Sequence, residues 1–153
     1  MHSRIFQVSE KPIEKSDYIV ESNYWDHWFL NSHADYVADS DRDEDIEWLS
    51  GYGSKGILFD KDEHGEFLIV TDKIAYFARK YERFKAELEK VNAMSLEQFS
   101  KDWLSLWSLK DAYEEKYGFY IDENDDLMSL DSFVRTCRTD VKYYIGGTVD
   151  YHC

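Results

Sequence analysis

The clearest pattern in the chain is an amphipathic repeat between residues 72 and 91. Apolar side chains recur there at intervals of three and four residues, and most other positions are charged. The apolar members are Ile74, Phe77, Tyr81, Phe84, Leu88 and Val91. This spacing places them along one face of a helix, so we predict a long helix over 72–91 whose apolar seam packs in a domain core. A two-chain coiled coil is the alternative interpretation, although fewer than three heptads are present.

A second helix is predicted from residue 95 to residue 117. Ser95 and Gln98 have the spacing of a capping box, and Gly118 is a typical residue to end a helix. Apolar residues repeat at helical spacing between these two signals. Because only residues 92–94 connect the two predicted helices, we expect them to pack as an antiparallel pair.

Short apolar runs elsewhere in the chain predict β-strands. They are residues 4–8, 57–59, 67–70, 119–121, 142–145 and 148–151. Residues 60–66 predict a hairpin loop, and Gly146-Gly147 predicts a two-residue hairpin turn. Helical spacing of apolar residues predicts a further helix over 23–37, and residues 127–137 predict a short one.

The order of these elements lacks a regular alternation of strands and helices. It favours an α+β fold, in which a mainly antiparallel sheet packs on an antiparallel pair of long helices. With one proline and no linker-like segment, residues 1–153 are predicted to form a single compact domain.

Charge is distributed unevenly along the chain. The net charge is −14 at pH 7, yet residues 72–117 carry nine basic and nine acidic side chains. Residues 1–71 carry sixteen acidic and six basic side chains. A protein this acidic lacks the basic footprint that binds nucleic acid or anionic membrane. We therefore expect neither as a direct partner.

The acidic residues are densest between residues 35 and 47, where a single base, Arg42, opposes seven carboxylates. These are Asp35, Asp39, Asp41, Asp43, Glu44, Asp45 and Glu47. Like charges this close repel one another, so we expect the whole run to be exposed. Trp25, Trp28 and Trp48 lie nearby, and tryptophan is a common anchor of protein interfaces. We therefore predict a non-enzymatic interaction protein whose acidic surface docks on a basic patch of a protein partner, with a DNA mimic as one specific version.

Motifs that could carry chemistry do not have the context they require. Residues 51–56 match G-x-G-x-x-G, but a strand rather than a helix follows them, so we interpret them as a glycine turn. Asp39, Asp41 and Asp43 resemble the start of a calcium loop, yet Glu44 stands where glycine is needed. The five histidines show no zinc spacing. We expect no catalytic residue, no metal and no cofactor.

Two other functions stay open. One is a small-molecule-binding protein or small enzyme with an aromatic-lined pocket, which a deep cleft holding a buried carboxylate or histidine would favour. The other is a structural subunit that forms homo-oligomers through the helical seam. The two distant cysteines, Cys137 and Cys153, and the absence of an apolar N-terminal segment predict a cytoplasmic protein with reduced thiols.

Overall fold

The computed structural model describes residues 2–52, 55–115 and 117–153, which form a seven-stranded sheet flanked by helices. The strands are β1 (His2–Ser9), β2 (Tyr36–Asp39), β3 (Ile57–Asp62), β4 (Gly65–Val70), β5 (Tyr120–Glu123), β6 (Asp126–Ser129) and β7 (Lys142–His152). The helices are α1 (Trp28–Ser32), α2 (Arg42–Gly51), α3 (Lys73–Asn92), α4 (Leu96–Lys101), α5 (Ser105–Tyr113) and α6 (Leu130–Thr136). The predicted α+β class is therefore confirmed.

The long strand β7 organises the sheet. The strand order is β3-β4-β7-β1-β5-β6, and β2 also pairs with β7. β7 is antiparallel to β1, β2 and β4, while β1 and β5 form a parallel pair. The sheet is thus mainly antiparallel, as the sequence predicted.

Gly146 and Gly147 lie inside β7, so the predicted hairpin turn is wrong. Between the pairs formed by Phe6 and Val8 of β1, β7 has one more residue than its partner, which is a β-bulge. A Cβ atom on Gly147 would lie 2.5 Å from the carbonyl oxygen of Ile19. Glycine is required here because the β1–α1 connection approaches the strand closely, and not because the chain turns.

The two faces of the sheet carry separate cores. Successive residues of β1 point to opposite faces, so Phe6 joins one cluster and Ile5 the other. The first cluster is covered by α2, α3 and α6. The second is covered by the segment from residue 15 to residue 32, which contains two short 3-10 turns and α1. A continuous helix over 23–37 was therefore a wrong prediction, since the segment also contributes β2.

The helix α3 forms close to where the sequence predicted it. Asp72 caps its N-terminus by accepting a hydrogen bond from the backbone N–H of Ala75 at 2.9 Å. The capping box of Ser95 and Gln98 likewise begins α4. These signals are local and need no tertiary contact to act.

The second long helix is interrupted, so the predicted pair of long helices is wrong. Asp102 accepts hydrogen bonds from the backbone N–H and the hydroxyl of Ser105, at 3.1 Å and 2.9 Å. Such side-chain bonds compete with helical ones at the end of α4, and the new helix α5 begins at Ser105 after a short break. The structure has one long helix, α3, packed against the short α5 through contacts that include an Arg83–Asp111 ion pair at 2.7 Å.

Candidate functional site

Asp45 is the acidic residue that departs most from expectation. Its side chain is buried, with 2% of the residue exposed, and accepts hydrogen bonds from Arg4 and from the Ser40 hydroxyl. Arg4 lies on β1, 41 residues away in sequence, and also pairs with Asp150 of β7. The expectation that the whole acidic run is exposed is therefore wrong at Asp45, because a distant arginine neutralises its charge.

Three further carboxylates of the run have partners within the protein. Asp41 caps α2 by accepting from two backbone N–H groups of its first turn. Asp39 accepts from the backbone N–H of Glu21 at 2.8 Å, and Asp35 lies 3.4 Å from Nδ1 of His152. Three of the seven carboxylates, Asp39, Asp41 and Asp45, are therefore hydrogen-bonded within the fold, whereas the contact of Asp35 is exposed to solvent.

The remaining carboxylates, Asp43, Glu44 and Glu47, point outward from α2 and form what we call the α2 acidic face. Within the described ranges, the side chains of Glu44 and Glu47 have no hydrogen-bond or ion-pair partner, and Asp43 lies 3.5 Å from Arg42. Trp48 is one helical turn from Glu44, half-exposed, and packs edge-on against a buried phenylalanine. Of the predicted docking site, the α2 acidic face therefore retains three carboxylates and one tryptophan on the same helix.

Trp25 and Trp28 are also exposed, but they lie elsewhere. They flank the start of α1, which covers the second core cluster, whereas Trp48 borders the first. The three predicted interface tryptophans are therefore not gathered into one surface.

Half of the apolar seam predicted on α3 faces solvent. Phe77 packs against the core and Phe84 against α5. Ile74 and Tyr81 are 81% and 59% exposed, and Leu88 is also exposed. These last three residues are seven positions apart and form a stripe along the helix. The interpretation of the whole seam as domain core is wrong for this half.

The α4–α5 segment exposes more large apolar side chains than any other part of the described chain. Trp103, in the break between the two helices, is 72% exposed. The other exposed members are Leu96, Phe99, Leu104, Leu106, Trp107 and Tyr113. We call these residues, together with the α3 stripe, the helical-layer surface. Soluble monomers rarely leave this much apolar surface in water, and such surfaces mark interaction sites.

A cleft of about 480 Å³ lies beside α3 and α5, next to the end of α2. Its volume is within the range of small-molecule sites. Lys55 and Arg79 line it, and neither has an ion-pair or hydrogen-bond partner among residues 2–52, 55–115 and 117–153. Its other two basic residues, Lys80 and Arg83, are paired with carboxylates.

A smaller chamber, about 10 Å³ in volume, shares Tyr52, Tyr76, Lys80 and Glu115 with this cleft and is also lined by Asp131. Asp131 is only 4% exposed. Its Oδ1 accepts from the Tyr76 hydroxyl at 2.8 Å and from the Lys80 ammonium at 2.5 Å, while its Oδ2 has no hydrogen-bond partner among the described residues. A buried carboxylate oxygen without a donor is rare and is costly to leave so.

Two tyrosines at this chamber are kept protonated. Burial and the negative charge of Asp131 raise the pKa of Tyr76 well above its usual range. Burial, with a hydrogen bond donated to Glu115 at 2.8 Å, does the same to the pKa of Tyr52. Both hydroxyls therefore serve as hydrogen-bond donors to the carboxylates at neutral pH.

No protein-family model, curated protein or solved structure matches the chain. In the described part of the chain, no helix is both long and apolar enough to cross a membrane. The same residues contain no group of three or more histidine, cysteine or acidic side chains placed to hold a metal ion.

The sequence pattern indicated only part of the cleft. Tyr76 and Lys80 are four residues apart, so a helix over 72–91 already places them side by side. Asp131 lies 51 residues beyond Lys80, and no motif links the two. The sequence therefore held no signal that places Asp131 beside Tyr76 and Lys80.

Proposed function

We propose that this protein is a non-enzymatic interaction protein, which associates with a second copy of itself through the helical-layer surface. The exposure of large apolar residues on α3, α4 and α5 carries the proposal. Each Å² of apolar surface removed from water contributes about 25 cal/mol. Covering these side chains with protein is therefore strongly favourable.

The charge of the helical layer itself does not oppose a second copy as the partner. The chain carries −14 overall, but residues 72–117, which contain the helical-layer surface, carry nine basic and nine acidic side chains. Two copies that meet through this layer bring neutral segments together and keep the acidic segments apart. The heptad spacing of Ile74, Tyr81 and Leu88 suits packing against an identical helix about a two-fold axis.

The test compares Tyr81→Glu with Ala86→Glu. Both substitutions add one negative charge to an exposed position of α3, but residue 86 lies on the opposite face from the stripe. Light scattering coupled to size-exclusion chromatography should give a mass above the 18.3 kDa monomer for the wild type and for Ala86→Glu. Tyr81→Glu should shift the protein towards the monomer. A wild type that is monomeric at every concentration would refute the proposal.

A second candidate is docking of the α2 acidic face on a basic patch of another protein. It is favoured because Glu44 and Glu47 have no partner in the described chain and Trp48 lies beside them. Aromatic anchors next to complementary charges are typical of protein interfaces. Since three of the seven carboxylates are hydrogen-bonded within the fold, we propose a basic protein surface in general rather than a DNA-binding site.

A charge reversal at Glu44 and Glu47 tests this second candidate without disturbing the fold. Reversing Asp41 or Asp45 would remove a helix cap or a buried ion pair and confuse docking with stability. The control reverses Glu14 and Glu89, which are equally exposed but lie elsewhere. In affinity capture at low salt, a partner protein that the wild type retains should be lost with the Glu44 and Glu47 reversal. The Glu14 and Glu89 reversal should still retain it. Equal capture by both variants would contradict docking through α2.

A further inference from the structure

The cleft beside α3 and α5 concentrates unpaired positive charge in a strongly acidic protein. Lys55 and Arg79 both line it and neither is neutralised by a carboxylate in the described chain. A phosphomonoester carries about −1.5 to −2 charges near pH 7. Two cations that line one cleft match that charge, and arginine in particular fits phosphate oxygens.

The inner chamber offers the opposite chemistry. The unpaired Oδ2 of buried Asp131 requires a donor, and the neighbouring phenols of Tyr52 and Tyr76 already donate to carboxylates. The chamber, at about 10 Å³, has room for one group the size of a water molecule. A hydroxyl fits this volume, whereas an ammonium would meet the nearby charge of Lys80.

The two ends of the site lie near one another. The cleft and the chamber share Tyr52, Tyr76, Lys80 and Glu115 in their lining. The chamber with the buried carboxylate therefore adjoins the cleft, and a molecule that binds in the cleft lies next to it.

We propose that this cleft binds a small phosphorylated polyol, an organic phosphomonoester with free hydroxyl groups. Lys55 and Arg79 hold the phosphate, and a hydroxyl of the ligand donates to Oδ2 of Asp131. The phosphate is held by side chains and does not need the glycine segment 51–56 to act as a phosphate loop. The cleft residues are not those of the helical-layer surface, so this proposal does not rest on self-association.

Isothermal titration calorimetry with three probes tests the assignment. The probes are glycerol phosphate, inorganic phosphate and glycerol, each titrated at millimolar concentration into the wild type. Glycerol phosphate should bind most tightly, inorganic phosphate more weakly, and glycerol without measurable heat. Absence of heat with both phosphates would overturn the proposal.

Two variants separate the ends of the site. Arg79→Gln, at an exposed position on α3, should weaken both phosphates about tenfold, which corresponds to about 1.4 kcal/mol. Asp131→Asn should weaken glycerol phosphate relative to inorganic phosphate, because it removes the carboxylate that accepts the ligand hydroxyl and frees Lys80, which also lines the cleft, from that carboxylate. Lys11→Gln removes an exposed cation outside the cleft and should change neither.

Two further outcomes would each overturn part or all of the assignment. If Lys11→Gln weakens binding as much as Arg79→Gln, the phosphates bind non-specifically to surface cations. If inorganic phosphate binds as tightly as glycerol phosphate, the hydroxyl subsite at Asp131 is wrong. If Asp131→Asn unfolds the chain, as a thermal melt would reveal, the wild type alone decides the subsite: equal affinity for glycerol phosphate and inorganic phosphate refutes it.

Discussion

Replacing Arg4 by methionine should destabilise the fold strongly, because Arg4 neutralises the one buried carboxylate of the acidic run. The side chain of Asp45 is 3% exposed and that of Arg4 20% exposed. Arg4 also pairs with Asp150 and lies 5.1 Å from the ring centroid of Trp48. Removing one partner of a buried ion pair typically costs about 3–5 kcal/mol. That is a large share of the roughly 5–15 kcal/mol that stabilises a domain.

Urea unfolding followed by tryptophan fluorescence measures this effect. The double variant Arg4→Met with Asp45→Asn also removes the unpaired buried charge of Asp45. Its free energy of unfolding should be at least about 1 kcal/mol higher than that of Arg4→Met alone. Arg138→Met is the matched control, since its ion pair with Glu10 is exposed and should contribute little. If Arg4→Met and Arg138→Met lower the free energy of unfolding equally, the buried ion pair of Arg4 and Asp45 does not stabilise the fold more than an exposed one.

Two further predictions concern pH and backbone packing. The Lys142 ammonium, with the backbone N–H of His64, holds the pKa of Asp62 at about 2. Because this pKa lies below that of aspartate in the unfolded chain, the stabilisation is present above about pH 4 and is lost as pH falls towards 2. Asp62→Asn should therefore lower the midpoint of urea unfolding at pH 7 and not at pH 2. Gly147→Ala should destabilise by about 1–3 kcal/mol, since its Cβ would meet a carbonyl oxygen at 2.5 Å. Gly51→Ala, with open space around it, should not, as parallel thermal melts would show.

Features of the fold that depend on neighbouring residues were predicted from the sequence. Asp72 and the Ser95–Gln98 box begin their helices as expected. The β3–β4 hairpin also forms from the two predicted apolar runs, although its strands extend to Asp62 and from Gly65 and leave a shorter loop than the predicted 60–66. In the two helix caps, the side chain and the backbone group to which it bonds lie within a few residues of one another. In the hairpin, the two strands are adjacent in sequence.

Features that depend on distant residues were not predictable in this way. Like-charge repulsion suggested that Asp45 is exposed, but Arg4 from another strand outweighs it. Gly146 and Gly147 have the composition of a turn, and only the bulge opposite β1 places them inside a strand. The break at Asp102 replaces a continuous apolar repeat because its carboxylate bonds to Ser105 instead of facing solvent. The cleft combines α2, α3, α5 and α6, which no single motif spans.

Salt concentration separates the two proposed modes of interaction, because it acts on them in opposite directions. Two copies of a chain with a net charge of −14 repel one another, so added salt should strengthen their association through the apolar helical-layer surface. Docking of the α2 acidic face on a basic partner relies on attraction, so added salt should weaken it. The Debye length falls from about 30 Å at 0.01 M salt to about 10 Å at 0.1 M. A titration over this interval therefore assigns any observed association to one surface or the other by the sign of its slope alone.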